Sequence, residues 1–274
     1  MNPQWKLWSR QVWAVARLEL HKSLLQRRAW WLLAAAPVVL TGGHSIMASM
    51  GQWGCSMGVD TRAFASIFQL FIVRFGIFFG CAGIFTTLFR GEMAEKTMHY
   101  YFLTPVRREV LAAGKYLSGE ITALTFFVGG SALSYVLITL HWGAAHWQRL
   151  LRGPGLYEVS WYVIVAALAC LGYGAIFMAF GLWFKNPMIP AVALMVWEGI
   201  NPFLPSVLKK VSVIFYLQGL CPTDVPMDGP LALLEIISEP TPAWLAIPGL
   251  LLLTAAVLAL AGWSVRSMEV SYGD

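Results

Sequence analysis

Residues 161–184 read WYVIVAALACLGYGAIFMAFGLWF, and no charged side chain interrupts them. A helix that crosses a bilayer needs about 20 mostly apolar residues, and this run is long enough. Five other runs have the same character: Ala29–Met50, Phe64–Phe89, Leu117–Leu140, Pro187–Leu208 and Ala243–Val265. Barrel-type alternation is absent, so helices are the spanning solution that remains. The expected fold is an all-α integral membrane protein with six transmembrane helices. No linker or shift in composition divides residues 1–274, which are read as a single transmembrane domain.

Composition supports this. Of the 274 residues 58% are hydrophobic and 12% charged, against about 25% charged in an ordinary soluble domain. Mean hydropathy is +0.65. Too little charge is present to cover a soluble surface, so lipid must do so. The net charge of +5 reflects Lys and Arg gathered at helix ends. No patch of aromatic and basic residues lies outside the membrane-flanking segments, which argues against a nucleic-acid partner. Trp30, Trp31, Trp142, Trp147, Trp161, Trp183, Trp244 and Trp263 fall near span ends, as an interfacial belt does. Gly172, Gly174 and Gly181 in span four, with Gly129, Gly130, Ser131 and Ser134 in span three, suit close helix approach.

Orientation follows the basic residues. Lys6, Arg10, Arg17, Lys22, Arg27 and Arg28 precede span one, and Arg90, Lys96, Arg107, Arg108 and Lys115 follow span two. Lys185 and Arg266 lie on the same side, against Arg62, Arg149, Arg152, Lys209 and Lys210 on the other. Both termini are therefore expected in the cytoplasm. The first apolar run is too long and too late for a signal-peptide core and is expected to stay as span one. Val211–Leu220 is too short to cross. It is read as a re-entrant or interfacial helix within a cap over Asn201–Pro242, a region punctuated by Pro202, Pro205, Pro222, Pro226 and Pro230.

The N-terminal segment has helical periodicity, with Trp5, Trp8, Val12, Val15 and Ala16 on one face and Lys6, Arg10, Arg17 and His21 on another. It suits a helix in the cytoplasmic headgroup layer, although Glu19 interrupts the apolar face. The loop RGEMAEKTMHYYFLTPVRREVLAAGKY, residues 90–116, carries the most information. Glu92, Glu95, Lys96 and His99 share one helical face, and Ala94, Met98, Tyr101 and Phe102 the opposite one. Glu92 and Lys96 have the spacing of an i,i+4 ion pair. Thr104 and Pro105 are expected to end this helix and start a second, with Thr104 as N-cap and Pro105 at its first position. Such a helix either lies on lipid or docks its apolar face into a partner's groove.

This loop resembles the cytoplasmic loop of type-2 ABC transporter permeases, on Glu92, Glu95, Thr97, Tyr101, Phe102, Leu103, Pro105, Arg107, Arg108, Gly114 and Lys115. Lys96 departs from the pattern, since many members carry Gly before the Thr. The layout of an amphipathic N-terminal helix, six spans and an outer cap before the last span is similar to that family too. The resemblance implies a coupling helix seated in a cleft on a separate cytoplasmic ATPase, through Glu92, Glu95, Lys96, Thr97, Met98, Tyr101, Phe102, Arg107 and Arg108. It also implies a second permease subunit, identical or different, a bacterial cytoplasmic (inner) membrane, and export by alternating access through spans one, two and five. ATP and magnesium would belong to the partner ATPase, and this chain would hold no cofactor. No GxxxxGK[ST] occurs here to bind a nucleotide.

No GxSxG or HExxH occurs either, and the five His residues are scattered, so no enzymatic role is expected. His44 is read as a satisfied polar residue. Cys81 and Cys170 are read as small core residues, and a disulfide between Cys55 and Cys221 has only their shared side of the membrane to support it. Arg74 and Glu198 lie deep in spans two and five, where a charge costs about 2.5–3.5 kcal/mol on insertion scales. They are expected to pair with each other or to line a path, with pairing favoured. Glu120 is expected to reach water. With so few intramembrane charges, a hydrophobic or lipid-like cargo fits better than a small ion. The competing reading is a membrane-embedded scaffold subunit, which accounts for the spans but not for the amphipathic loop.

Overall fold

The computed structural model describes residues 3–26, 29–51, 56–103, 105–223, 225 and 241–266, with the backbone alone at 3, 23–26, 29–34, 99, 102 and 206. The described residues form helices joined by turns, without strands. They are α1 (Pro3–Gln26), α2 (Ala29–Ser49), α3 (Met57–Ala94), α4 (Met98–Phe102), α5 (Arg108–Trp142), α6 (Ala144–Arg152), α7 (Gly155–Trp183), α8 (Met188–Phe203), α9 (Ser206–Lys209), α10 (Val213–Gln218) and α11 (Ala243–Arg266). Cys55 and most of the expected cap beyond Thr223 lie outside the described residues.

Among the described residues, four helices are long and apolar enough to cross a membrane: α3, α5, α7 and α11. Each contains one of the apolar runs read from the sequence. The expected first span coincides with α2, a helix of 21 residues. The expected fifth span, Pro187–Leu208, is helical over only part of its length, and its apolar helix Met188–Phe203 is shorter than the other four. Its α-helical part, Met188–Ile200, has 13 residues, about 20 Å at 1.5 Å per residue, against a hydrocarbon core of about 30 Å. Pro202 and Pro205 end it: neither offers an amide to continue the helix, and Leu204, before Pro205, is extended at φ −84° and ψ 152°.

The core forms around α7, of whose most apolar stretch 67% is buried, against 22% for α11 at the edge. Phe64 and Phe68 of α3 meet Tyr162 of α7 at 4.9 and 4.7 Å between ring centres, and Phe78 meets Phe177 at 5.0 Å. Below these rings the backbones come together. A Cβ on Gly181 would stand 2.8 Å from the Thr86 carbonyl oxygen, and one on Gly174 would stand 2.6 Å from the Phe85 ring. Gly172 faces Val213 and Leu250 instead, so it seats α10 and α11. Gly129 meets nothing and plays no part in this packing. The middle of α3, Phe68–Ile77, is π-helical, as is Leu124–Val128 of α5, and the two wider segments pack against each other.

The N-terminal helix docks on protein. Val12, Val15 and Ala16 turn toward α5, where a Cβ on Gly114 would stand 2.7 Å from Val15 Cβ and 2.9 Å from the Val12 carbonyl oxygen. Trp5, expected on the same apolar face, is exposed and lies off the part that packs on α5. Lys6, Arg10, Arg17 and His21 line the open side.

The loop after span two also differs from expectation. α3 stops at Ala94. The Thr97 amide donates to the Glu92 carbonyl at 2.9 Å and the Lys96 amide to that of Met93 at 3.2 Å, the paired bonds of a Schellman turn. Lys96 takes the left-handed position, φ 57°, so it sits beyond the helix and cannot form the i,i+4 pair with Glu92. α5 begins at Arg108 with Arg107 as its N-cap residue, not at Pro105. Thr104 lies outside the described residues. A left-handed conformation costs a side-chain-bearing residue about 1–2 kcal/mol that glycine avoids. Lys96→Gly should therefore stabilise the protein by about 1 kcal/mol, read as a higher thermal midpoint in detergent. A lower midpoint would show that the lysine side chain contributes more than the turn costs.

Candidate functional site

Two acids on separate segments face inward at the same end of the bundle. Glu19 projects from the packed face of α1, because it follows Val12, Val15 and Ala16 at helical spacing. Glu92 projects inward from the last turn of α3. Between them stands Lys115 of α5, with no exposed surface. Its ammonium is 2.9 Å from Glu19 Oε1 and 2.8 Å from Glu92 Oε2, and it donates to the Leu88 carbonyl oxygen at 3.0 Å. The Tyr101 ring of α4 lies under this ammonium at 4.8 Å, and its hydroxyl donates to Glu19 at 3.0 Å. Lys22 closes the group from the surface, donating to the Tyr101 hydroxyl at 3.1 Å and standing 3.8 Å from Glu92. Two cations thus balance two anions, and α1, α3, α4 and α5 are fastened at one point.

The electrostatics follow from that balance. Burial opposes the charge on Glu19, but Lys115 and Lys22 outweigh it and hold the carboxyl below its ordinary range. Burial, then the charges of Glu19 and Glu92, push the Tyr101 phenol far above its ordinary range, so it stays a donor.

The residues expected at a coupling surface are thereby divided. Glu92 belongs to the interior, Met98 is fully buried, and Tyr101 is half-buried in the hub. Thr97 is spent on the turn, its hydroxyl reaching the Glu92 carbonyl at 3.3 Å. Arg108 donates to the Arg266 carbonyl oxygen at 2.9 Å. Glu95, Lys96 and Arg107 are exposed, Arg107 lying over the Trp8 ring at 4.7 Å. The side chain of Phe102 lies outside the description. Tyr100, which sequence reasoning passed over, and Leu103, which entered only through the resemblance, are exposed at 64% and 79%. The hub itself was legible only as Glu19, an acid out of place on an apolar stripe.

Elsewhere, Glu198 does not pair with Arg74. Its carboxylate accepts from the Ser212 hydroxyl at 2.6 Å and from the amides of Val213 and Ile214 at 3.0 and 3.1 Å, which caps α10. Glu120 is enclosed rather than hydrated, with 5% of its surface exposed. Cys81 and Cys170 are buried free thiols. At the opposite end of α3 from the hub, His44 Nε2 lies 3.0 Å from the buried Asp60, whose second oxygen accepts from Trp142 at 2.7 Å with His141 at 3.4 Å. Among the described residues no cluster suits a metal ion.

Lys115→Met should cost about 3–5 kcal/mol, because it leaves two buried carboxylates facing each other. Adding Glu19→Gln and Glu92→Gln should recover most of that loss. Thermal unfolding of the single and triple variants measures both, and a triple variant no better than the single would exclude charge balance as the cause. Because the Glu19 carboxyl is depressed from 4.5, its contribution is present in full above the ordinary carboxylate range and is lost as pH falls through its lowered value. Protection of the α1 amides, relative to their intrinsic exchange rate at each pH, should accordingly fall in acid below about pH 4; unchanged protection there would contradict the assignment. Compared with models of protein families and with curated proteins, the chain matches none.

Proposed function

We propose that the chain is the membrane-spanning subunit of an ATP-driven exporter of the type-2 ABC class. It would work as a pair of permease subunits with a separate cytoplasmic ATPase that carries ATP and magnesium. The observation that best supports this is the two-sided character of α4. Its inner side is held to the bundle by Tyr101 in the hub and by the buried Met98. On its outer side Tyr100, and Leu103 just beyond the helix, are exposed, and the flanking turns carry the exposed charges Glu95, Lys96 and Arg107. An apolar centre with a charged rim is the make-up of a protein-docking patch, and a helix resting only on lipid has no need of a buried polar fastening.

In this reading α2, α3, α5, α7, α8 and α11 make six passages, the short α8 crossing where the bilayer is locally thinned, with α10 dipping back beside it. Both termini are cytoplasmic, in a bacterial cytoplasmic membrane. ATP-driven closure of the paired ATPases would push α4, and the hub would pass the displacement to α1, α3 and α5 together. Alternating access then opens a path between the permease subunits.

Purified in mild detergent from its native membrane, the tagged chain should bring with it a stoichiometric soluble protein bearing a P-loop. Tyr100→Asp with Leu103→Asp should cut its recovery about tenfold or more, as loss of an apolar hot spot does, without lowering the thermal midpoint. If mild purification and crosslinking recover no ATPase, the scaffold reading takes precedence.

A further inference from the structure

Arg74 stands near the middle of α3, in its π-helical segment Phe68–Ile77. π-Helical turns inside α-helices are frequent at functional sites. The guanidinium takes part in no hydrogen bond or ion pair among the described residues. Glu198 lies within its electrostatic reach, but the Glu198 oxygens are engaged by Ser212, Val213 and Ile214. Around Arg74 the outer side of α3 is aromatic and open. Leu70, Phe71 and Phe75 are exposed at 48%, 46% and 47%. The Phe71, Phe75 and Phe79 rings follow one another at 6.3 Å spacing.

A partly exposed guanidinium at this depth is costly, and an anion is what offsets it. A small hydrated anion would have to shed its water for a single cation amid apolar rings. An amphiphile meets both features at once, with its head on the guanidinium and its body on the rings. The headgroups of an ordinary bilayer sit about 15 Å from the midplane and do not supply that anion at rest.

We propose that Arg74, with Leu70, Phe71 and Phe75, binds an amphiphilic anion. Its phosphate or carboxylate head pairs with the guanidinium, and its apolar body lies along the aromatic strip. The inference rests on the permease reading only in taking this ligand as cargo. Binding is measured without any ATPase, so failure here and failure to recover an ATPase are separate results.

The test uses the full chain in discs of phosphatidylcholine, titrated with a pyrene-labelled fatty acid, its methyl ester and a pyrene-labelled lysophosphatidic acid, and read by energy transfer from tryptophan. At least one anion should bind saturably, about tenfold or more tighter than the ester, the ratio expected of one charge-assisted contact. Whichever anion binds more tightly identifies the head. Arg74→Gln should abolish the preference for the anion, Arg74→Lys should keep part of it, and Phe71→Ala should weaken all three probes. Equal binding of acids and ester by the unmodified chain, or an anion preference that survives Arg74→Gln, overturns the proposal. So does an Arg74→Gln variant that only splits a two-copy particle into single copies, since the guanidinium then serves contact between chains. If Arg74→Gln fails to fold, the comparison of acid with ester on the unmodified chain, together with Phe71→Ala, decides.

Discussion

A lysine ammonium with no access to water organises one end of this molecule. Burying an ion costs several kcal/mol even after the protein relaxes around it, so Lys115 is tolerable only where opposite charge and acceptors surround it. None of those partners is local. Glu19 comes from α1, Glu92 from the end of α3, and the remaining acceptor is the Leu88 carbonyl oxygen. The hub therefore forms only when the N-terminal helix, the end of span two and the start of span three are all in place. An apolar residue at 115 could pack there, but it would not select this arrangement over a neighbouring one. Buried ion pairs are better understood as devices of register than of net stability.

The same requirement shapes the loop beyond. Two residues after the inward-facing Glu92, α3 ends at Ala94, and the Schellman turn at Lys96 reverses the chain. Tyr101 then comes back under Lys115 on a helix of only 5 residues. So short a helix has no stability of its own. Its position is borrowed from Tyr101 and Met98, while Tyr100 and Leu103 are left outside. In the permease reading proposed above, a force applied to that outer face would be delivered to the charged cluster.

What was legible in the sequence was whatever depends on long runs of one character. Four apolar stretches became helices of spanning length, and Gly174 and Gly181 became close contacts because small residues leave room wherever helices cross. What was not legible depends on single residues whose partners are distant in the chain. Helical periodicity across 92–99 grouped Glu92 with Lys96, since it assumes that the helix continues; one left-handed residue ended it. Pro187–Leu208 looked like one unbroken span by hydropathy, which does not weigh Pro202 and Pro205 near its end. Glu19 was visible as an anomaly, but its partner lies 96 positions away.

Arg74 and Glu198 show two different answers to the same difficulty. Both are ionisable groups in apolar helices, and reciprocal pairing is the arrangement that elementary electrostatics suggests first. The broken helix offered Glu198 another partner. Once Pro202 and Pro205 turned the chain back, the free amides at the start of α10 lay beside it, and a carboxylate suits the positive end of a helix. Two amides and a hydroxyl satisfy it without any cation. That resolution releases Arg74 from a structural duty, so the guanidinium is retained at depth for something the folded chain itself does not contain.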